Sequence, residues 1–471
     1  MYNYMQRATF LEVALLYYRG GYSMPKEKIF ADVAVLGGGA AGLMAAASAA
    51  RSLKKAGQTV AVVEKLPRVG KKLLATGNGR CNLGNTDLSA KWYFGSGKAQ
   101  LSSLLDKYNN KYMQDIWEQL GLFTYCDGSG RIYPYSNHAA SVLDVLRLQL
   151  QLLQVHELCN TPVKAISKTK DGKFILHGSD REISCVSLVV TAGGLASPKL
   201  GGCGSGYALL EALGHTVTPL FPSLAPVFVQ EPFIAALKGL RARCRIKLIC
   251  DGVHTAQEDG EVQFTEKAVS GICVFQLSRR INEFFRLHTV DGKPCKQVAL
   301  SFDFFPDYTQ SELFLHLQRH ADGASFPVPT LFTGLLHSRI ATVLCKAGGI
   351  KPLTKAAGNL SKKELGALAL LLKDFRVTPC APSSFETAQV TAGGVPADEI
   401  DFRTLSSKRC AGLYLAGEIV DIDGMCGGYN LHWAWVSGIL AGQSAAREIC
   451  NKGKKRPYDT DYKYKTSPYL S

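Results

Sequence analysis

Apolar positions along this chain follow two patterns. In the first, short unbroken apolar runs alternate with stretches of helical spacing. The run Asp32-Val-Ala-Val-Leu36 leads straight into Gly37, and the Ala-rich stretch from Ala40 to Lys55 predicts a helix. A second run, Thr59-Val-Ala-Val-Val63, ends at Glu64, and a third, Ser187-Leu-Val-Val190, ends in Thr191-Ala-Gly-Gly194. Runs of this kind bounded by turn residues predict strands buried on both faces. Gln100 to Leu120 and Ala139–Val155 predict long helical stretches, and Thr161–Ile166 opens another strand. From about Gly214 the pattern changes to short strand-like pieces (Ala225–Val229, Arg243–Asp251, Glu261–Thr265, Gln297–Phe304) and then to a helix-rich stretch from Ser311 to Asp374. Near Ser384 the glycine-turn style returns, with Thr391-Ala-Gly-Gly394 and the strand Gly412–Ala416. This order predicts an α/β fold in which a discontinuous nucleotide-binding domain (28–213 and 381–450) carries an insertion (214–380). An N-terminal extension (1–27) and a basic tail (451–471) flank it.

The turn after the first strand gives that domain a ligand. Gly37, Gly39 and Gly42 fit G-x-G-x-x-G. The first glycine permits the bend, the second lets a pyrophosphate approach the backbone, and the third lets helix and strand pack closely. Glu64 ends the second strand 22 residues past Gly42, where a carboxylate accepts hydrogen bonds from an adenosine ribose. Without the flanking strands and this carboxylate, the triplet would be an ordinary glycine turn.

Composition narrows the setting. At 471 residues and 46% apolar, the chain can fill two or three cores. A net charge of +15 suits an anionic ligand or a nucleic acid, or serves solubility alone. Fourteen cysteines are scattered with no C-x-x-C pair, which argues for reduced thiols in a cytoplasmic protein and against a metal site. The apolar run Phe10–Tyr18 contains Glu12 and is too short for a transmembrane segment, and Met24 is a candidate true start.

Two further constellations carry chemistry. In Gly70-Lys-Lys-Leu-Leu-Ala-Thr-Gly-Asn-Gly-Arg-Cys-Asn82, Gly77 and Gly79 expose amides while Lys71, Lys72 and Arg80 add charge, a fit for phosphate. Cys81 and Asn82 then fall near the reactive ring of a bound dinucleotide. The other group is Glu418, Asp421, Asp423-Gly424 and Gly427-Gly-Tyr-Asn430, leading into a helix from Leu431 to Ala446. Glu418 is placed for ribitol hydroxyls, and Gly427 and Gly428 for the negative charge of a reduced flavin at a helix N-terminus. A nicotinamide enzyme has no need of this second anchor, so FAD is the expected tightly held cofactor.

Here the chain resembles a known group. The GKKLLATGNGRCN loop, GRIYPYSNHAASV (Gly130–Val142), VTAGG, PSLAP (Pro222–Pro226), QVTAGGV and GLYLAGEIVDIDGMCGGYNLHWAW look like one FAD-dependent family of the two-dinucleotide-binding-domain flavoproteins. That family is associated with reduction of 3-oxo-Δ4,6 bile-acid intermediates and with uridine-to-dihydrouridine conversion in ribosomal RNA. The resemblance implies a Rossmann-like FAD-binding domain with an inserted β-barrel-like plus helical domain. It places FAD contacts on Gly39, Ala40, Ala41, Gly42, Glu64, Lys65 and Lys71. It adds Asn78, Gly79, Arg80, Cys81, Asn82, Glu418, Asn430 and Leu431, and Val163 for the adenine; Gly193 and Gly428 complete the expected set. Cys426 and His432 replace the family's usual Thr and Gln, and Phe264-Thr-Glu-Lys-Ala268 departs from its usual Phe-Thr-His-x-Gly.

Both activities reduce a C=C bond conjugated to a carbonyl: hydride goes to the electrophilic carbon, and the enolate then needs a proton. Candidate donors are Cys81, Tyr133, Cys426, Tyr429 and His432, with Cys81 foremost as a thiol beside Arg80 in the flavin-proximal loop. Gly201–Gly206 has the wrong spacing for a second dinucleotide site, so NADH or NADPH is expected to dock transiently. The preferred partner is a small-molecule enone, a 3-oxo-Δ4,6 or 3-oxo-Δ4 bile acid or steroid of bile-acid 7-dehydroxylation. Ribosomal RNA is the alternative.

Overall fold

The computed structural model describes residues 26–54, 57–290, 293–294 and 296–453. The run Phe10–Tyr18, Met24 and the basic stretch Lys454–Arg456 lie outside them. The apolar runs become a parallel sheet, in the order His156–Leu158, Val60–Val63, Glu27–Leu36, Arg181–Val190, Leu413–Leu415. All four residues of Val60–Val63 are buried, as expected for a strand covered on both faces. Ala165–Lys168 and Phe174–His177 add an antiparallel flap to Arg181–Val190.

The helix Ala40–Leu53 lies along the final helix, Tyr429–Gly453, at very short range. A Cβ on Gly438 would sit 2.4 Å from the Ala41 carbonyl oxygen, and one on Gly442 2.2 Å from that of Ala45. Alanines on one helix and glycines on the other make this approach possible.

A second apolar core, Val227 to Val377, belongs to a six-stranded antiparallel sheet and the helices over it. Its order is Val227–Phe228, Ala268–Ser270, Val253–Phe264, Arg241–Cys250, Val298–Asp303, Phe375–Val377. The two edges then meet: Gln230 N donates to Thr378 O and Cys380 N to Phe228 O, which closes the sheet into a barrel. Helices Gln310–Ala321 and Lys362–Lys373 start on Thr309/Glu312 and Ser361/Glu364 capping boxes. The chain crosses between the two cores on paired strands, Phe221–Ser223 against Val390–Ala392.

Two features differ from the sequence expectation. The stretch Gln100–Leu120 is two helices, Lys98–Lys107 and Asn110–Gln119, because the Asn109 side chain accepts from Tyr112 N and starts a new helix. A helix with no counterpart in the sequence reading spans Ile272–Leu287. Cys273, Leu277, Ile281 and Phe285, four apart, form its buried stripe, a periodicity hidden among the short strands around it. No helix among the described residues is long and apolar enough to cross a membrane.

Candidate functional site

Between the parallel sheet and the barrel lies a cleft of about 720 Å³, a size suited to a large organic ligand. Its floor is the glycine turn. Gly37 sits at φ +109°, where a Cβ would press on the Thr191 carbonyl at 2.5 Å, and a Cβ on Gly42 would meet the Gly37 carbonyl at 1.9 Å. Gly39 is different: nothing lies within 4 Å of its Cβ position. It opens onto the cleft with the N-terminus of helix Ala40–Leu53, which has no side-chain cap.

Glu64 is fixed at its strand end. Its Oε2 accepts Gly38 N (2.8 Å) and its Oε1 accepts Leu66 N (2.9 Å), while each oxygen keeps a lone-pair site for a ligand hydroxyl. Lys65, Val163 and Gly193 line the same end of the cleft, as do Ala40 and Ala41. Lys71 and Asn78 line it from the lysine loop. Lys72 instead reaches Glu418 at 2.7 Å, and Glu418 also accepts Thr391 N, so this carboxylate stands on the wall already paired.

At the far end, Gly428, Asn430 and Leu431 line the cleft. The Asn430 side chain accepts from Gly424 N and donates to Gly424 O, tying the Asp423–Gly428 loop to the helix start. Asn82 also lines the cleft, and its buried Oδ1 has no hydrogen-bond partner among the described residues. Gly42 and Gly79 do not line it; Gly42 acts through helix–turn packing.

Three of the five candidate donors, Cys81, His432 and Tyr429, face away. Cys81 adopts φ +61° in the turn after Gly79, which buries its side chain completely, and that burial pushes its thiol up to about 12 despite a Thr76 hydrogen bond. The His432 ring is 1% exposed and hydrogen-bonded to Tyr108 O (2.9 Å), and burial pushes it down to about 4, so it is neutral. Tyr429 packs edge-on against Tyr93 and tilted against Trp92, and burial raises its phenol to about 12. Of the five donors considered, only Tyr133 and Cys426 line the cleft. Arg80 stacks 4.5 Å over the Tyr133 ring and points Nη2 at the phenol oxygen (3.4 Å).

The unforeseen helix Ile272–Leu287 builds the opposite wall. Ile272 and Phe275 line the cleft, and Gln276 holds Cys426 by both backbone groups, accepting from its N (2.8 Å) and donating to its O (3.4 Å). One turn further, Arg279 makes a buried two-point contact from Nε to Asp423 (2.9 and 3.2 Å) and lies over the Phe94 and Phe221 rings. The barrel thus grips the Asp423–Gly428 loop at two points. A polar residue every third or fourth position on the inner face was the signal for this role.

A family model described as the HI0933-like protein Rossmann domain matches residues 31–444. The chain belongs to this family. The HI0933-like match contains the glycine turn, the whole barrel insertion and the Asp423–Asn430 loop. Among HI0933-like relatives, a 3-dehydro-bile acid delta(4,6)-reductase from Clostridium scindens is 35% identical over 88% of this chain and 98% of its own length. Ribosomal RNA dihydrouridine synthases from Escherichia coli and Haemophilus influenzae are 29% and 26% identical, over 88% and 89% of this chain and 97% and 99% of their own lengths.

Proposed function

We propose that this chain is an FAD-dependent reductase of a C=C bond conjugated to a carbonyl, acting on a 3-oxo-Δ4,6 or 3-oxo-Δ4 bile acid or steroid. NADH or NADPH serves as transient donor. The carrying observation is the cleft, with a nucleotide-type glycine turn at one end, a two-glycine helix start at the other and an apolar wall from the barrel beside it. The residues fit FAD: Gly39 leaves open space at a helix N-terminus, Glu64 offers acceptors at its strand end, and Asn82 presents a buried acceptor that lacks a donor. When bound, the flavin supplies the hydride for the electrophilic carbon.

The chain supplies the rest. Lys65 and Lys71 hold phosphate charge at the glycine end. Tyr133 takes the place of Cys81 as proton donor. Arg80 Nη2 donates toward the phenol oxygen, which leaves the phenolic proton directed to the cleft and stabilises the phenolate once that proton has gone. Ile272 and Phe275 exclude water from the same space.

Identity to the bile-acid reductase, higher than to either RNA enzyme, and the apolar wall favour the steroid. The net charge of +15 and the two RNA-modifying relatives favour reduction of uridine in ribosomal RNA as a second reading. Photoreduced protein mixed anaerobically with a 3-oxo-Δ4 steroid, and separately with ribosomal RNA, tests both. Flavin reoxidation by the steroid alone is expected; reoxidation by RNA alone would replace the first reading with the second.

A further inference from the structure

Two residues before Tyr133 on the strand Arg131–Pro134 stands Arg131. Residues two apart on a strand share a face, so Arg131 and Tyr133 both line the cleft while Ile132 turns the other way toward Gly84. The Arg131 backbone is fixed: its N donates to Asp127 Oδ1 (2.9 Å), its O accepts Asp127 N (2.9 Å), and it pairs with Asn85 in the neighbouring strand. The guanidinium itself makes no hydrogen bond or ion pair among the described residues. Asp127, close in sequence, directs its Oδ1 to the N–H groups of Ser129 and Arg131; its carboxylate feels the Arg131 charge but forms no ion pair with it.

Leu224, Ile272, Phe275 and Met425, all apolar, line the same cleft. The two walls meet at Cys426, whose backbone is held by Gln276 of the apolar wall and whose thiol feels the charge of Arg131. A guanidinium on a fixed backbone, in a cleft that apolar side chains also line, is complementary to a ligand with an apolar body and an anionic group. A carboxylate matches the guanidinium fork at two points. An uncharged ligand at the same place would cover the guanidinium without satisfying it.

We propose that Arg131 receives a carboxylate carried by the substrate and so sets the orientation in which the enone enters beside Tyr133. This rests on the enone-reductase reading above and names the residue that selects acidic substrates within it. The test uses flavin-loaded wild type, Arg131→Gln and Arg131→Lys, with 3-oxo-4-cholenoic acid and its methyl ester. Binding is read from perturbation of the oxidised flavin spectrum, and turnover from reoxidation of the photoreduced flavin. Arg131→Gln is expected to weaken binding of the acid about 10–100-fold, the worth of a charged hydrogen-bonded contact. It should change the ester less than about twofold, and Arg131→Lys should recover part of the loss. Equal losses on acid and ester, or no loss on either, overturn the assignment. If the acid binds through Arg131 but neither compound reoxidises the flavin, the carboxylate site stands and the enone-reductase reading fails. If both reoxidise it with no dependence on Arg131, the reverse holds; if neither binds, both fail.

Discussion

At the glycine turn the chain holds space open with backbone, whereas at the wall formed by helix Ile272–Leu287 it fills space with side chains. The turn depends on what is missing: a single carbon at Gly42 would stand 1.9 Å from a backbone carbonyl oxygen. The wall depends on what is present, through Phe275, Gln276 and Arg279 reaching across from another core. A site made by omission leaves a fixed spacing in the sequence. A site made by side chains on an inserted helix leaves a helical period with polar residues set into it, and many helices share that.

This contrast can be broken from either side. At the turn, Gly42→Val should yield no flavin-loaded protein, because turn and helix cannot both keep their places. Gly39→Ala has room and should keep normal thermal unfolding while losing flavin absorbance, since its methyl occupies the ligand's approach. A flavin-replete Gly39→Ala protein would contradict the placement of the cofactor there. On the strand Arg131–Pro134, Tyr133→Phe should keep the flavin and its reduction by NAD(P)H but slow reoxidation by substrate about 10²–10⁴-fold, the worth of a positioned general acid. Stopped-flow traces of the two half-reactions separate the steps.

Arg279→Met tests the grip between the cores. It leaves Asp423 buried without its partner and should cost about 3–5 kcal/mol in denaturant unfolding. A loss below about 1 kcal/mol, the range of exposed pairs, would mean that the two cores do not need this contact.

His432 gives the turn-side helix a pH signature. Its folded value of about 4 lies below the ordinary 6.5, so the unfolded chain binds more protons between those values. The stability that His432 contributes is therefore full above about pH 6.5 and falls by about 3 kcal/mol as pH drops toward 4. His432→Gln should flatten that part of the pH–stability curve; an unchanged slope would assign the acid sensitivity elsewhere. The smallest effect belongs to Cys81→Ala, expected to cost on the order of 1 kcal/mol of stability with reoxidation by substrate unchanged.

Legibility follows the same division. The buried runs at Val60–Val63 and Ser187–Val190, the glycine turn and Glu64 could be read because period, spacing and residue type constrain them directly. Cys81 was misplaced because its neighbours in sequence do line the cleft. Only the positive φ that it shares with Gly77, Asn78 and Gly79 turns its thiol inward, and no local pattern announces that for a cysteine. His432 and Tyr429 follow the same pattern: on the first turn of a helix that meets the cleft, Asn430 and Leu431 line it and their neighbours do not. Nothing in the sequence set Tyr133 apart from the other candidate donors, since its pairing with Arg80, some fifty residues earlier, is a tertiary fact. The break at Asn109 was visible as two adjacent asparagines yet outweighed by the apolar period on either side.

The close packing of Gly438 and Gly442 on Ala41 and Ala45 also has a consequence in time. During synthesis, the glycine turn and the helix Ala40–Leu53 leave the ribosome early, but the helix they rest on is made about 400 residues later. The strand Leu413–Leu415, which completes the parallel sheet beside Arg181–Val190, is equally late. The inserted barrel, whose strands pair among themselves, can form while the cofactor domain is still open. On the FAD reading, capture of the nucleotide is thus a late event, and a premature stop even within the last helix should give a folded barrel on a colourless protein.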